Sequence, residues 1–374
     1  MKYLAKKVIN FLSASINTII LNRKIALIYK SISSVKQISR NKILEYKRIW
    51  IKFGSDPNVK WFKVYASING IDNPSYIPET NYYNKVEPVL NNRTFSEAYC
   101  DKNSYHRYID NDLLPRIYLR NIQGVYYSSD YEMIKDYKAI DEFIPEESDK
   151  IIAKIAIDSG GGREVELFSR KDGHFESPNG IILTKSYLEQ RFKKNFIVQE
   201  YIHQHEYYHK LNASSVNTIR ILTYRSVITN EIIPLQSVLR IGKEGAIIDN
   251  QASGGIACGI NKFGVLNKFA VNKSGKKFYE INGLPISNIP PVYKYDEAVG
   301  IAIRIARMNF YHRLIGFDFC VDNTNTVKLI ELNNRNNEIN FYQMNNGPLF
   351  REYTDEVIDY CIKNRKTICF DFEI

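Results

Sequence analysis

The sequence predicts an α+β chain, and three observations carry that expectation. β-patterned runs cluster in two stretches, and helical periodicity returns in Tyr295–Met308 and Phe350–Lys363. Residues 1–50 read mostly as helix and hold eleven Lys and Arg against Glu45 alone, which equals the formal +10 of all 374 residues. The rest of the chain is therefore close to neutral. That length suffices for two or three packed domains, and no long Pro, Ser or Gly tract marks a disordered body.

The expected order is a basic helical segment, 1–50; an α/β region, 51–115, broken by Asn-Gly, Asp-Asn-Pro and Pro-Glu turns; a small α+β domain, 116–203; and a larger α+β domain, 204–374. In the third part the strands are Arg116–Leu119, Gly124–Tyr127, Ile151–Ala156 and Phe196–Ile202, with a helix over Thr184–Lys193. In the fourth they are Asn217–Tyr224, Ile232–Arg240, Gly255–Ile260 and a closing hairpin.

Charge confined to one segment argues against nucleic acid as a partner, because such binders spread basic residues over a folded face. The segment also carries Val8, Phe11, Leu12, Ile16, Ile19 and Ile20, a basic and amphipathic pattern. Two readings stand: a peripheral contact with the inner membrane, or a helix packed on its own domain. Ser13, Ser15, Asn17 and Thr18 interrupt the apolar run, so no spanning helix is expected. Five cysteines without CxxC spacing argue for reduced thiols in a cytoplasm. Oligomeric state is not legible.

The closing hairpin, Gly316–Asp322 and Val327–Asn333 around Asn323-Thr324-Asn325-Thr326, carries the most chemistry. If the turn closes symmetrically with Asp322 opposite Val327, Asp318 faces Glu331 at roughly 5 Å between Cβ atoms. Asn333, two residues on, returns to the same face. Two carboxylates and a carboxamide there suit Mg²⁺, with a structural Arg or Lys partner as the alternative. Arg220 and Arg240, each in a β-rich run, need a carboxylate or a phosphate to be buried and can meet either. Lys154 precedes the Gly160-Gly161-Gly162 turn, whose freed amides can cover phosphate oxygens or form a plain loop. Phe196–Ile202 reads as a strand leaving a domain, able to border an apolar slot. Asp249, Asn250, Gly254 and Gly255 line a cleft or simply turn.

Lysine strand, glycine turn, hinge strand, arginine strand and Asp…Glu-x-Asn hairpin, in that order, resemble the ATP-grasp superfamily. SVNTIR, the DNxxxGGI segment at Asp249–Ile256 and LIGFDFCVD…VKLIELNN resemble its sugar-transfer-associated family, met with genes for bacterial surface polysaccharides. The resemblance runs from about Tyr46, through Asp101-Lys102-Asn103, to the last helix. It implies the ATP-grasp fold, with ATP held between the small lid domain and the larger C-terminal domain.

By that resemblance Lys154 binds phosphates under a lid of Gly160, Gly161 and Gly162. Gln199, Glu200, Tyr201 and Ile202 form the adenine hinge, Glu200 nearest the purine, with Glu206 on the ribose. Arg220 holds the transferring phosphoryl with Arg240 beside it, and Asp318, Glu331 and Asn333 bind Mg²⁺. Asp249, Asn250, Gly254, Gly255 and Arg335 face the substrate. Leu332 replaces the family's glycine between Glu331 and Asn333, and Ile155 its proline after the lysine. The implied activity is a carboxylate–amine ligase that forms an acylphosphate and then an amide, joining an amine or amino acid to a carboxylated sugar or glycan precursor for capsule or O-antigen. Its rivals are a phosphotransferase on the same fold and a non-catalytic glycan-binding protein.

Overall fold

In the computed structural model, residues 2–135, 140–157, 164–243, 245 and 254–365 are described, the side chains of 2–4, 6 and 7 aside. Gly160, Gly161 and Gly162, and Asp249 and Asn250, lie outside the described residues.

Helices α1 (Lys2–Ser31), α2 (Arg40–Trp50) and α3 (Lys60–Asn69) open the chain. Three short helices follow, α4 (Glu79–Asn81), α5 (Glu87–Leu90) and α6 (Ser96–Cys100). The mixed α/β region expected over 51–115 is helical instead: among its described residues the only strand pairing is an isolated bridge from Asn91 to His312. In α3, Trp61, Phe62, Val64, Tyr65, Ala66 and Ile68 are all buried, so apolar residues surround much of one helix rather than alternating. Gly70, at φ +81°, stops it.

Strands β1 (Ile117–Ile122), β2 (Val125–Tyr127), β3 (Lys150–Ile155), β4 (Val165–Lys171), β5 (His174–Glu176) and β6 (Phe196–Glu200) form an antiparallel sheet ordered β2-β1-β6-β3-β4-β5. Helix α7 (Lys185–Phe192), capped by the Thr184 hydroxyl, contributes Leu188 and Phe192 to its core with Phe168, Phe175 and Phe196. After Glu200 the chain crosses to a second sheet, where the His205 amide donates to the Val321 carbonyl, and enters α8 (Glu206–Leu211).

That second sheet holds β7 (Thr218–Arg225), β8 (Ile232–Ile241), β9 (Ile256–Ile260), β10 (Leu266–Val271), β11 (Lys277–Phe278) and, after the small pair β12 (Glu280–Ile281) and β13 (Leu284–Pro285), β14 (Leu314–Val321) and β15 (Val327–Asn333). Its order is β11-β10-β9-β8-β7-β14-β15. Helix α9 (Tyr295–Met308) covers one face, burying Ala298, Ala302 and Ile305 with Ile219, Ile221, Phe317 and Phe319. On the other face, α10 (Ile339–Asn346), α3 and α11 (Thr354–Lys363) pack with Leu222, Val238 and Ala257. Strand alternation therefore sends Arg220 and Asp318 away from α9.

Candidate active site

The hairpin pairs Asp318 with Glu331, as the sequence predicts, although the turn is not the one assumed. Val321 faces Val327, so the loop is one residue longer than a symmetric closure at Asp322 allows. The Asp322 carboxylate accepts from the Thr324 and Thr326 amides, and Asn325 takes φ +67°. A bulge between Asp318 and Phe319, at Ile330 on β15, restores the register.

On the other side of β14, Asp318 pairs with Arg220 of β7. Arg220, Asp318 and Glu331 thus form a line across three neighbouring strands. The Arg220 guanidinium donates to both Asp318 oxygens, Nε at 2.6 Å and Nη2 at 2.5 Å, and Arg240 adds Nη1 at 3.3 Å. The Asn333 amide reaches the same carboxylate at 3.5 Å. Burial works against the Arg220 charge, but the Asp318 carboxylate outweighs it and holds the guanidinium well above its ordinary pKa. Of the two partners left open for Arg220, the structure thus shows the carboxylate.

Lys102 is the participant to which sequence reasoning assigned no role. Its side chain is 5% exposed, and Nζ lies 2.8 Å from Glu331 Oε1. The 3-10 turn Lys102–Arg107 is wedged between the sheets: Lys102 N–H donates to Ala156 O beyond β3, Asn103 Nδ2 donates to Asn121 O on β1, and Leu332 N–H donates to the Tyr105 hydroxyl. No periodic pattern announces such a turn, and its partner lies 229 residues away; the signal was the Asp101-Lys102-Asn103 triplet itself. Tyr342 was also missed. It is fully buried, and its hydroxyl, without a hydrogen-bond partner among the described residues, feels Arg220, Asp318 and Arg240.

Lys154 projects from β3 into the same space, 6% exposed, and with Lys102, Gln199, Ile197, Leu329 and Ile330 lines a cleft between the sheets. Burial first, then Lys102, push its pKa down to about 7, against the opposing pull of Glu331 and Cys320. Four cationic side chains stand around the two carboxylates: Arg220 and Arg240 on Asp318, Lys102 on Glu331, and Lys154 near enough to feel Lys102 and Glu331, an excess suited to a polyanion.

The hinge residues divide. Gln199 is buried in the cleft wall and Ile202 is buried beyond it. Glu200 is tied to Arg116, its carboxylate accepting from the Arg116 amide at 2.9 Å and its own amide donating to the Arg116 carbonyl. The Tyr201 ring meets His203 and the Lys150 ammonium. Glu206 is exposed and paired with Lys210 at 3.6 Å. Arg335 lies 3.8 Å from Glu97. Gly254 has φ +96°, and Gly255 is buried just before β9.

Asp318, Glu331 and Asn333 offer the oxygen donors a hard dication needs, and they fit one on chemistry. Asp318 would release part of its arginine contact to take it. Leu332, in the glycine's place, points away into the core beside Phe317. At Gly316 a Cβ would sit 2.5 Å from Asn337 Oδ1, so a larger residue there would push aside the Asn337 side chain, whose Nδ2 donates to the Asn333 carbonyl. Gly316→Ala is expected to weaken Mg²⁺-dependent nucleotide binding about tenfold by displacing Asn333, while far-ultraviolet dichroism stays unchanged; unaltered Mg²⁺ dependence would detach Asn333 from the metal.

A family model described as sugar-transfer associated ATP-grasp matches residues 79–358. No curated protein matches the chain. Among solved structures, it is similar to N5-carboxyaminoimidazole ribonucleotide synthetase in complex with ADP, at 10% identity over 71% of this chain and 54% of that one, TM-score 0.40. Another is the ATP-grasp ligase PsnB with a phosphomimetic precursor variant, Mg and ADP, at 14% identity over 73% and 61%, TM-score 0.38. A third is biotin carboxylase from Campylobacter jejuni, at 15% identity over 72% and 46%, TM-score 0.40. The chain spans about half the length of these proteins. With more than half of its residues matched by one family model, the chain belongs to the sugar-transfer associated ATP-grasp family.

Proposed function

We propose that the protein is a Mg-ATP-dependent ligase that joins a carboxylated sugar or glycan precursor to an amine, in the making of a surface polysaccharide such as capsule or O-antigen. The observation that carries this reading is the line Arg220–Asp318–Glu331, with Lys102 bonded to Glu331 and Lys154 beside Lys102 in the cleft wall. Lys154 and Lys102 bind the β and γ phosphates, and Gln199 with Ile202 borders the base. Arg220 and Arg240 meet the γ-phosphoryl as charge moves onto it. Asp318, Glu331 and Asn333 would hold magnesium, which, when bound, neutralises charge on the phosphate oxygens.

The substrate carboxylate oxygen attacks the γ-phosphorus and ADP leaves with the bridging oxygen. An amine nitrogen then attacks the acyl carbon, the C–O bond to phosphate breaks, and the amine gives up a proton. Positioning and charge supply the catalysis, and no side-chain nucleophile takes part.

The test follows ADP release with uronic acids, with and without an added amine. The expected result is ADP formation that depends on both substrates, with an amide product. ADP formed at full rate without amine, with a phosphorylated sugar accumulating, would establish a phosphotransferase instead. Mg-ATP at about a hundred times its Kd is expected to stabilise the fold by ~2.7 kcal/mol in thermal denaturation; a non-catalytic glycan-binding protein would show no such shift.

A further inference from the structure

Helix α1 is turned inside out for a surface helix. Its side toward the domain is largely polar: Asn17 donates to Asn84 at 2.8 Å, Asn84 to Thr18 at 3.0 Å, Asn58 to Asn22 at 2.9 Å, and Lys24 to the buried Glu79 at 2.9 Å. Among the described residues, Leu21, Ile25 and Ile28, with the partly buried Tyr29, add apolar burial there. The outward side carries Val8, Phe11, Leu12, Ile16, Ile19 and Ile20, each more than half exposed, with Phe11 at 71%. At about 100° per residue these six fall within roughly half of the helix circumference, and exposed Arg23 and Lys30 continue the same stripe. A soluble surface helix does the reverse, and an exposed apolar strip of this length marks a binding face.

We propose that this stripe seats the protein on an anionic lipid bilayer, with α1 lying in the plane of the interface. Charge selects the occupant: Arg23 and Lys30 stand exposed on the stripe, in a segment with eleven basic residues and one acidic one, of which Lys24, Lys42 and Lys47 are paired with Glu79, Asp72 and Asp56. The remaining excess is complementary to acidic headgroups while the apolar side chains enter the acyl boundary. The polar interruptions that argued against a spanning segment do not break the helix, and Val8–Ser31 is long and apolar enough to cross a membrane by length and composition. Its bonds to the domain exclude crossing in this fold. Residues 17–28 are fastened along one side, so insertion would carry the charged Lys24–Glu79 pair and Asn84 to hydrocarbon depth. The inference goes beyond the proposed reaction and holds whatever substrate the cleft takes.

Full-length protein is sedimented with vesicles of phosphatidylcholine alone or mixed with phosphatidylglycerol, beside the double variant Phe11→Ser/Ile19→Ser. The expected result is at least about tenfold stronger binding to the anionic vesicles, weakened by salt, and a loss of about tenfold or more in the variant. An unchanged melting temperature confirms that the variant folds. Equal binding to both vesicles, or none, overturns the proposal. So does retention through an alkaline carbonate wash, which marks a spanning helix, or a dimer in light scattering that the variant dissociates, which assigns the stripe to a second copy. Mg-ATP stabilisation is read separately, so loss of the nucleotide reading leaves this result standing.

Discussion

Asp318→Asn is expected to lower ADP release by about a thousandfold or more, because Asp318 both aims Arg220 and stands first among the oxygen donors. The same change is expected to destabilise the fold. Asp318 is 4% exposed in its side chain and Arg220 12%, and removing one partner of so buried a pair costs about 3–5 kcal/mol through the charge left behind. Loss of activity alone would therefore be ambiguous. The double variant Asp318→Asn/Arg220→Met separates the two effects, since it removes the closer, bidentate cation and leaves only the longer Arg240 contact without its carboxylate, and so should recover much of the stability. Turnover is expected to stay lost in the double variant. If turnover returned with stability, the pair would be a structural clasp and the metal assignment would fail.

How far the site was legible depends on the reach of each interaction. The facing of Asp318 and Glu331 could be read because a hairpin is local and side chains alternate with period two; the one-residue error in the turn was cancelled by the bulge at Ile330. Helix α9 was legible because its apolar repeat faces a sheet. Strands β4 and β5 were not foreseen, since β4 reads VELFSRK and buries only Phe168 completely, leaving little alternation to detect. Residues 51–115 were misjudged because turn-forming residues were read as strand punctuation where they divide short helices. The partner of Arg220 needed the strand order, β7 beside β14, which nothing in either segment states. The outward face of α1 is the sharpest case. Its composition was plain, but which side the domain takes depends on Asn84 and Glu79, more than fifty residues away.

Lys154 gives the strongest pH dependence. With its pKa at about 7 through burial and the neighbouring Lys102, the free cleft loses this proton near neutrality, whereas a bound triphosphate favours the charged form. ATP affinity is therefore expected to be level below pH 7 and to fall above it by up to about tenfold per pH unit, with proton uptake on binding at pH 8. Calorimetry in buffers of different ionisation enthalpy measures that uptake. Stability without nucleotide should move the other way: between about pH 7 and the ordinary lysine value of 10.5 the unfolded chain holds a proton the folded chain has shed, so this group's contribution rises with pH. Lys154→Met is expected to weaken ATP binding by about ten- to a hundredfold at pH 6 and to flatten both profiles. Lys102→Met removes a neighbouring positive charge and leaves Glu331 unneutralised, and both changes favour a charged Lys154, so the inflection should move to higher pH. A wild-type affinity profile that is flat from about pH 6 to 9 would show either that Lys154 keeps its proton throughout or that it does not hold phosphate, and Lys154→Met at pH 6 separates the two.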